Sequence, residues 1–455
     1  MSTAAITVPP QIGFRMRSVD LHWALLAQLA GCVLPAMAAV FVAKPLLGAQ
    51  YTLASLLAVL GYHVMRRDRF AFGCIVLGSL PVLALMRGLF FYYGEVALLG
   101  GTCLMWLALS PERLVHLWRD QAWRWMTVGL LVFWWLSMLM TGSYATNLRS
   151  FEVILGSACI VLVAERRSYL ATALVGMVMS AAALGFGLLP YGDRLGQGVV
   201  GETSIGNPIL LGMPCALLVV ISLADSGRWM LVERRLVLRI VFCLTMAELL
   251  ILSGSRGSWV AALSGLMALM VFSRQDRKIL LVAVACVAVV ATLWLSTGRG
   301  QKIAQQFEKT VDSDRTLANR TSGRSVQWSV IPQVFAESPI WGWGPGSGKD
   351  VAAIYTGRHL GWHALYLQMI GETGLIGTSL LFVFLGALVV RGVRHWKTSH
   401  EIAPLASILT YMVVGASVSG LDAISGVFVG LALLAGDVAP RLVLAQARTA
   451  SRRAA

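Results

Sequence analysis

The sequence has few charged residues for its length. Asp, Glu, Lys and Arg make up 13% of its 455 residues, whereas hydrophobic residues make up 57%. A soluble globule of this size needs more polar residues to cover its surface, so the composition argues against a soluble class. Apolar runs long enough to cross a bilayer recur along the chain. We therefore predict an all-α polytopic membrane protein.

Acidic residues are scarcer than basic ones, 22 against 37, which gives a formal net charge of +15. The basic residues cluster in every second connection between apolar runs, at 66–69, 113–124, 166–167, 228–239, 274–278 and 391–397. Because Lys and Arg in short connections stay on the cytoplasmic side, both termini are predicted to be cytoplasmic and the long polar loop at 297–362 to lie outside. The basic excess then reflects topology and contact with anionic membrane lipids, not nucleic-acid binding.

Cysteine is also scarce, and none of the seven lies in the polar loop. Their spacing fits neither a disulfide framework nor a zinc site, so we interpret them as small core residues. Asp312 and Asp314 form a DxD pattern that resembles a metal site. No histidine or third carboxylate is spaced to complete it, so we predict a solvated acidic turn, with no metal and no cofactor.

The apolar runs predict about 12–14 transmembrane helices. The predicted spans are 22–43, 46–65, 70–90, 91–110, 124–141, 150–164, 168–188, 206–224, 236–252, 257–273, 279–296, 363–390, 404–419 and 421–438. They divide the chain into an N-terminal transmembrane region at 1–296 with outer arginine loops near 190–205 and 253–257, the long loop at 297–362 with short helices, C-terminal transmembrane helices at 363–440 and a cytoplasmic tail at 441–455.

A small set of basic side chains lies on the predicted outer face, where topology disfavours them. These are Arg194, Arg256, Arg324, Arg358 and His363. A planar guanidinium donates two parallel hydrogen bonds to phosphate. Several arginines and an imidazole at one aqueous mouth therefore predict a site for a phosphate or diphosphate, such as the head of a lipid carrier.

Three features near these cations are predicted from helix geometry. Arg324 and Trp328 are expected to share an amphipathic helix on the membrane surface with the apolar residues of 330–335. Glu372 follows His363 in the predicted span, but about 100° per residue places it on the opposite helix face and roughly 13 Å away along the axis. We predict Glu372 to be a buried structural group. Glycines 371, 374 and 377 predict a smooth strip for close helix approach.

The run from His363-Ala364 to Gly374-Leu375-Ile376-Gly377 resembles the signature of the O-antigen ligase and polymerase superfamily, which includes bacterial O-linked oligosaccharyltransferases. That signature is His, then Asn, Ser or Gln, nine residues, Gly, two residues, then Gly, Thr or Tyr. Ala364 departs from it. Arg256 resembles the family's arginine hairpin, and Arg194 its other essential periplasmic arginine. The resemblance covers roughly residues 190–380.

The resemblance implies an inverting, metal-independent glycosyl transfer at the periplasmic face of a bacterial inner membrane. The implied donor is a glycan on undecaprenyl diphosphate, and the implied acceptor is a sugar of lipid A-core oligosaccharide. His363 would be the general base, although donation from His363 to a phosphate oxygen fits equally well. The diphosphate would be held by Arg194, Arg256 and Arg324. Possible accessory residues are Tyr366, Arg358 and Trp328.

Alternative functions use the same features. An O-antigen polymerase would extend a second lipid-linked glycan, and a protein-directed transferase would modify Ser or Thr. We favour the ligase because the chain ends soon after its last predicted span, without a large C-terminal outer domain. A flippase for lipid-linked oligosaccharides also has many spans and a cationic cavity. It is expected to show related halves and short outer loops, which this sequence does not.

Overall fold

The computed structural model describes residues 68–85, 94–109, 117–141, 150–164, 167–185, 208–224, 236–273, 324–359, 361–418 and 422–435, with a few single residues between them. Within these ranges the regular structure is helical and there is no strand, which confirms the predicted all-helical class. The predicted spans at 22–43 and 46–65, and most of the span at 279–296, lie outside the described residues.

The helices that precede the long loop lie close to the predicted spans. They are α1 (Arg69–Leu85), α2 (Gly94–Leu109), α3 (Gln121–Thr141), α4 (Ser150–Val163), α5 (Arg167–Gly185), α6 (Pro208–Leu223), α7 (Leu236–Leu252) and α8 (Arg256–Phe272). Each is built from a predominantly apolar stretch, so apolar length located them.

The long loop contains the short helices α9 (Arg324–Trp328), α10 (Ile331–Glu337) and α11 (Gly348–Thr356). The prediction of one amphipathic helix from Arg324 through 335 is wrong, because the chain turns at residues 329–330. Pro332 explains the break. It has no N–H to donate to the carbonyl of Trp328, which weakens a helix running through it, whereas Pro is well tolerated in the first turn of a new helix such as α10.

Three helices follow the loop: α12 (Leu365–Ser399), α13 (Ala403–Gly415) and α14 (Ala423–Leu433). By length and composition, α12 is the one helix among the described residues that could cross a membrane, with a mean hydropathy of 2.2 in its most apolar window. The helix α12 also includes the basic residues at 391–397, which were predicted to lie in a connection between two spans. There Arg391 forms an ion pair with Asp120, which precedes α3.

The helix α12 is broken at Gly374, whose φ of 59° and ψ of −154° are not helical. The rings of Tyr366 and Phe382 stack with their centroids 5.4 Å apart. In a straight helix their Cα atoms would be about 24 Å apart, beyond the reach of two aromatic side chains. The outer arm (residues 365–373) and the long arm (residues 375–399) therefore fold towards each other, and the predicted straight span at 363–390 is wrong in this respect.

The apolar core lies between helices that approach closely at small residues. α1 packs on α5, α4 on α14, and α8 on both α6 and α13. A Cβ atom on Gly156 would lie 2.9 Å from the carbonyl oxygen of Ala423, so α4 and α14 meet at a glycine. The described cysteines form no disulfide with one another and are mostly buried, as predicted for core residues. Because α8 packs on α13, the first turn of α8 lies beside the end of α13.

Candidate functional site

Arg256 lies at the tip of the α7–α8 hairpin. The turn needs the left-handed backbone of Gly254, which has a φ of 62°. The hydroxyls of Ser255 and Ser258 share a hydrogen bond of 2.8 Å, which closes the first turn of α8. Arg256 is the first residue of α8 and is half-buried. Its guanidinium therefore extends from a helix end that already carries a partial positive charge.

Ser417, just after α13, contacts both the α7–α8 hairpin and the long loop. The guanidinium Nη1 of Arg324, the first residue of α9, donates a hydrogen bond of 3.1 Å to the carbonyl oxygen of Ser417. A Cβ atom on Gly257 would collide with the Ser417 side chain, so the first turn of α8 lies directly against the same residue. Two arginines that are distant in sequence are therefore brought to one place.

The electrostatics of the site connect these arginines to His363. Burial lowers the pKa of Arg324, and the nearby Arg256 guanidinium lowers it further. Burial likewise lowers the pKa of His363, and so do the positive charges of Arg324 and Lys349. We call Arg256, Arg324, Lys349 and His363 the basic cluster. Each of these neighbouring cations disfavours charge on another member, so a dense anion would be favoured here.

His363 occupies an unusual backbone conformation two residues before α12, with a positive φ of 48°. Left-handed backbone in a non-glycine residue costs on the order of 1–3 kcal/mol and is retained where the surroundings enforce it. The preceding residue, Trp362, is almost fully buried, and its carbonyl oxygen accepts a 3.0 Å hydrogen bond from the indole N–H of Trp328. Trp328 therefore ties α9, which carries Arg324, to the backbone that carries His363.

The break in α12 is filled by residues 339–344 of the long loop, which we call the docking segment. In an unbroken helix the N–H groups of Leu375 and Ile376 would donate to the carbonyls of Gly371 and Glu372. The docking segment replaces those two bonds with four. They are Leu375 N to Pro339 O at 2.8 Å, Ile376 N to Ile340 O at 3.3 Å, Trp343 N to Gly371 O at 3.0 Å and Gly344 N to Glu372 O at 2.9 Å. All four backbone groups freed by the break are therefore paired.

The predicted strip for helix approach applies at Gly377, where a Cβ atom would lie 2.9 Å from the Phe133 ring of α3, but not at Gly374, which meets the long loop instead. A Cβ atom on Gly374 would lie 2.5 Å from the carbonyl oxygen of Ile340, and one on Gly342 (φ +70°) would lie 2.5 Å from the backbone at residues 372–374. Around Gly371 the nearest atoms are 3.6 Å away, which is ordinary contact. Gly374 and Gly342 thus let two backbones meet, whereas Gly371 is not required for that contact.

Glu372 is buried and hydrogen-bonded, as predicted. Its carboxylate oxygens accept hydrogen bonds from the backbone N–H groups of Gly346 at 2.8 Å and Gly348 at 3.1 Å. These glycines flank the start of α11, whose second residue is Lys349. Glu372 is therefore a positioning residue that fixes the turn before Lys349 to the outer arm of α12.

Other predicted site residues lie in varied surroundings. The hydroxyl of Tyr366 donates a hydrogen bond of 2.5 Å to the carbonyl oxygen of Met412. Arg358 is exposed just after α11. Their accessory roles stay predictions. Arg194, Asp312 and Asp314 lie outside the described residues.

The sequence reasoning missed Lys349 and Ser417. Lys349 is a basic residue of the predicted outer loop, where membrane topology disfavours it just as it disfavours the outer arginines. Ser417 contributes a backbone carbonyl, which no residue pattern reveals.

Comparison with protein families bears on this arrangement directly. Residues 241–382 match a family model described as O-Antigen ligase. This match confirms the resemblance to the O-antigen ligase family. The matched segment includes Arg256, Arg324, His363 and the break at Gly374. No curated protein matches the chain.

The O-antigen ligase match gives the general character of the chemistry. The family is membrane-integral, its activity is of the glycosyltransferase type, and it implies lipid-linked glycan substrates. The basic cluster and the docking segment both lie inside the matched residues.

Proposed function

We propose that the chain is an inverting, metal-independent glycosyltransferase that moves O-antigen polysaccharide from undecaprenyl diphosphate to a sugar of lipid A-core oligosaccharide. The reaction would take place at the periplasmic face of a bacterial inner membrane. The observation that carries this proposal is the basic cluster, in which Arg324 lies within electrostatic range of both Arg256 and His363. A diphosphate would relieve the repulsion among these cations.

The basic cluster can supply both a base for the acceptor hydroxyl and positive charge for the leaving diphosphate. The acceptor hydroxyl oxygen attacks the anomeric carbon, the bond from that carbon to the diphosphate oxygen breaks, and undecaprenyl diphosphate leaves with the electron pair. His363 takes the proton of the acceptor hydroxyl as the new bond forms. Arg256 and Arg324, with Arg194 as the third proposed member, stabilise the charge that develops on the leaving diphosphate.

The lowered pKa of His363 suits a base. An ordinary histidine titrates near pH 6.5, so a group with a lower pKa is neutral at pH 7 and ready to accept a proton. A bound diphosphate, being negative, favours the protonated form and so stabilises the imidazolium after proton transfer. The same cations that hold the donor thus keep the free enzyme's imidazole neutral.

This account predicts the pH dependence of transfer. In the wild-type protein, kcat/KM is expected to be constant near pH 7 and to fall only below the ordinary histidine pKa of about 6.5. Arg324→Gln removes a positive charge that disfavours protonation, so the pKa of His363 rises and the fall moves to higher pH. The measurement is kcat/KM from about pH 5 to pH 8 for both proteins.

Lys349→Gln is expected to move the fall in the same direction, since Lys349 also lowers the pKa of His363. Arg394→Gln changes an exposed residue near the C-terminal end of α12 and serves as the control. It is expected to leave the pH at which kcat/KM falls unchanged. A fall that stays at the wild-type pH in Arg324→Gln, whatever the loss in absolute rate, would contradict a titrating base at His363.

The planar fork of Arg256 is expected to matter as well as its charge. Arg256→Lys keeps the charge but loses paired donation to phosphate, and should lower kcat/KM roughly tenfold; Arg256→Ala should lower it further. Initial rates at varied donor concentration measure both. If both variants match the wild type while Arg358→Ala is inactive, the diphosphate is held by a different arginine.

A further inference from the structure

Two large apolar side chains of the long loop are exposed at the docking segment. Ile340 is 54% exposed and Trp341 is 62% exposed. Trp343, two residues later, is different: its indole N–H donates to the carbonyl oxygen of Val334 at 3.0 Å, and its ring packs edge-on against Tyr355. The same segment therefore holds one tryptophan packed into the loop and one directed away from it.

The exposed pair adjoins the apolar outer surface of α12. Pro339 and Ile340 are hydrogen-bonded to Leu375 and Ile376, the first residues of the long arm. From there an exposed apolar face continues along the helix, made of Leu375, Leu380, Phe382, Val383 and Val390. Ile340 and Trp341 extend this face sideways at its outer end.

Helix geometry gives the depth of the outer end of this apolar face relative to a bilayer. Arg394 is exposed on the long arm, beyond the apolar face and next to the predicted cytoplasmic side. At 1.5 Å per residue, Leu375 lies about 28 Å from Arg394 along the helix. The hydrocarbon core of a bilayer is about 30 Å thick. Leu375, and with it the docking segment, therefore falls at the outer boundary of the hydrocarbon.

We propose that Ile340 and Trp341 form a wedge that inserts into the outer leaflet, with the boundary between acyl chains and headgroups as its partner. The inference rests on the membrane placement in the proposed function. Tryptophan suits this boundary, because its ring is apolar and its N–H can face the headgroups. The wedge continues a lipid-facing helix surface, and this continuity favours lipid over a second copy of the chain.

The wedge also bears on the basic cluster. Through Gly344 and the turn held by Glu372, the docking segment leads directly to Lys349. Insertion of the wedge would hold this side of the basic cluster at headgroup level. A lipid-linked diphosphate is found at that level.

Site-specific photocrosslinking tests the wedge. The full-length protein carries p-benzoylphenylalanine in place of Trp341, which conserves an exposed aromatic ring, and is placed in vesicles of phosphatidylethanolamine and phosphatidylglycerol without donor. p-Benzoylphenylalanine in place of Val383 gives the lipid-facing reference. In place of Asp350, a charged residue of the long loop whose side chain is 79% exposed, it gives the aqueous reference. Ile340 gives an independent second position. Adducts are identified by mass spectrometry after irradiation.

The expected result is phospholipid adduct at positions 341 and 340 at a yield similar to that at 383 and about tenfold above that at 350, since one face meets hydrocarbon and the other water. Adduct at 383 with none at 341 and 340 would overturn the wedge alone. A crosslink to a second copy in place of lipid would also overturn it. Lipid adduct at none of the positions would contradict the membrane placement on which the proposed function rests.

Discussion

Replacing His363 with alanine is expected to lower glycan transfer by about 10²–10⁴-fold while the protein remains folded in the membrane. The proposed acceptor hydroxyl would lose the group that removes its proton. The cations that surround His363 cannot take over, because guanidinium and ammonium groups are hydrogen-bond donors with no lone pair to accept a proton. Transfer from a labelled lipid-linked donor, with membrane integration checked by detergent extraction and gel filtration, measures the effect.

His359→Ala is the matched control. His359 is an exposed histidine of the same loop whose ring lies 3.6 Å from the carboxylate of Asp350, and its removal is expected to leave transfer near the wild-type rate. If His363→Ala retains more than about a tenth of wild-type transfer, a general base of ordinary strength at this position is ruled out.

Replacing Gly374 with alanine is expected to detach the docking segment and to reduce transfer almost as far as the loss of His363. The backbone of Gly374 has a conformation that favours glycine, and holding another residue there costs about 1–3 kcal/mol. The new Cβ would in addition lie 2.5 Å from the carbonyl oxygen of Ile340, a backbone atom that cannot move without breaking the docking contacts. Amide hydrogen exchange should rise at Trp343 and Gly344, and also at Leu375 and Ile376.

Gly371→Ala separates this effect from a general intolerance of side chains at glycines. The nearest atoms to a Cβ there are 3.6 Å away, so this variant is expected to keep both the protection of the docking segment and most of the transfer activity. Wild-type exchange in Gly374→Ala would show that the break does not depend on glycine, and equal damage from both variants would remove the special role assigned to Gly374.

Much of the helical framework could be predicted from the sequence. The span predicted at 236–252 coincides with α7, because its apolar residues outweigh the two charged residues inside it, Arg239 and Glu248, and polar residues bound it on both sides. The position of Arg256 at a hairpin tip followed from two such runs with few residues between them. The proximity of Arg256, Arg324 and His363 was predicted from charge, since basic residues on the outer side of a membrane protein are disfavoured by topology and commonly serve a ligand site.

The break at Gly374 could not be predicted in the same way. Glycines spaced three apart suit both a smooth packing strip and a broken helix, and sequence spacing does not distinguish them. The deciding contacts come from Pro339 to Gly344, which lie some thirty residues earlier and act through backbone atoms. The turn before α10 did have a signal in Pro332, whose missing N–H weakens a continuous helix.

The measurement that tests the central claim most directly is transfer by the purified protein in vesicles. They contain a labelled glycan on undecaprenyl diphosphate and are given lipid A-core oligosaccharide in the presence of excess EDTA. The account predicts that label moves to the lipid A-core with inversion at the anomeric carbon, and that His363→Ala does not move it. Label found only in longer lipid-linked glycan would show a polymerase, and label that crosses the bilayer without transfer, or transfer that requires an added metal, would contradict the proposed reaction.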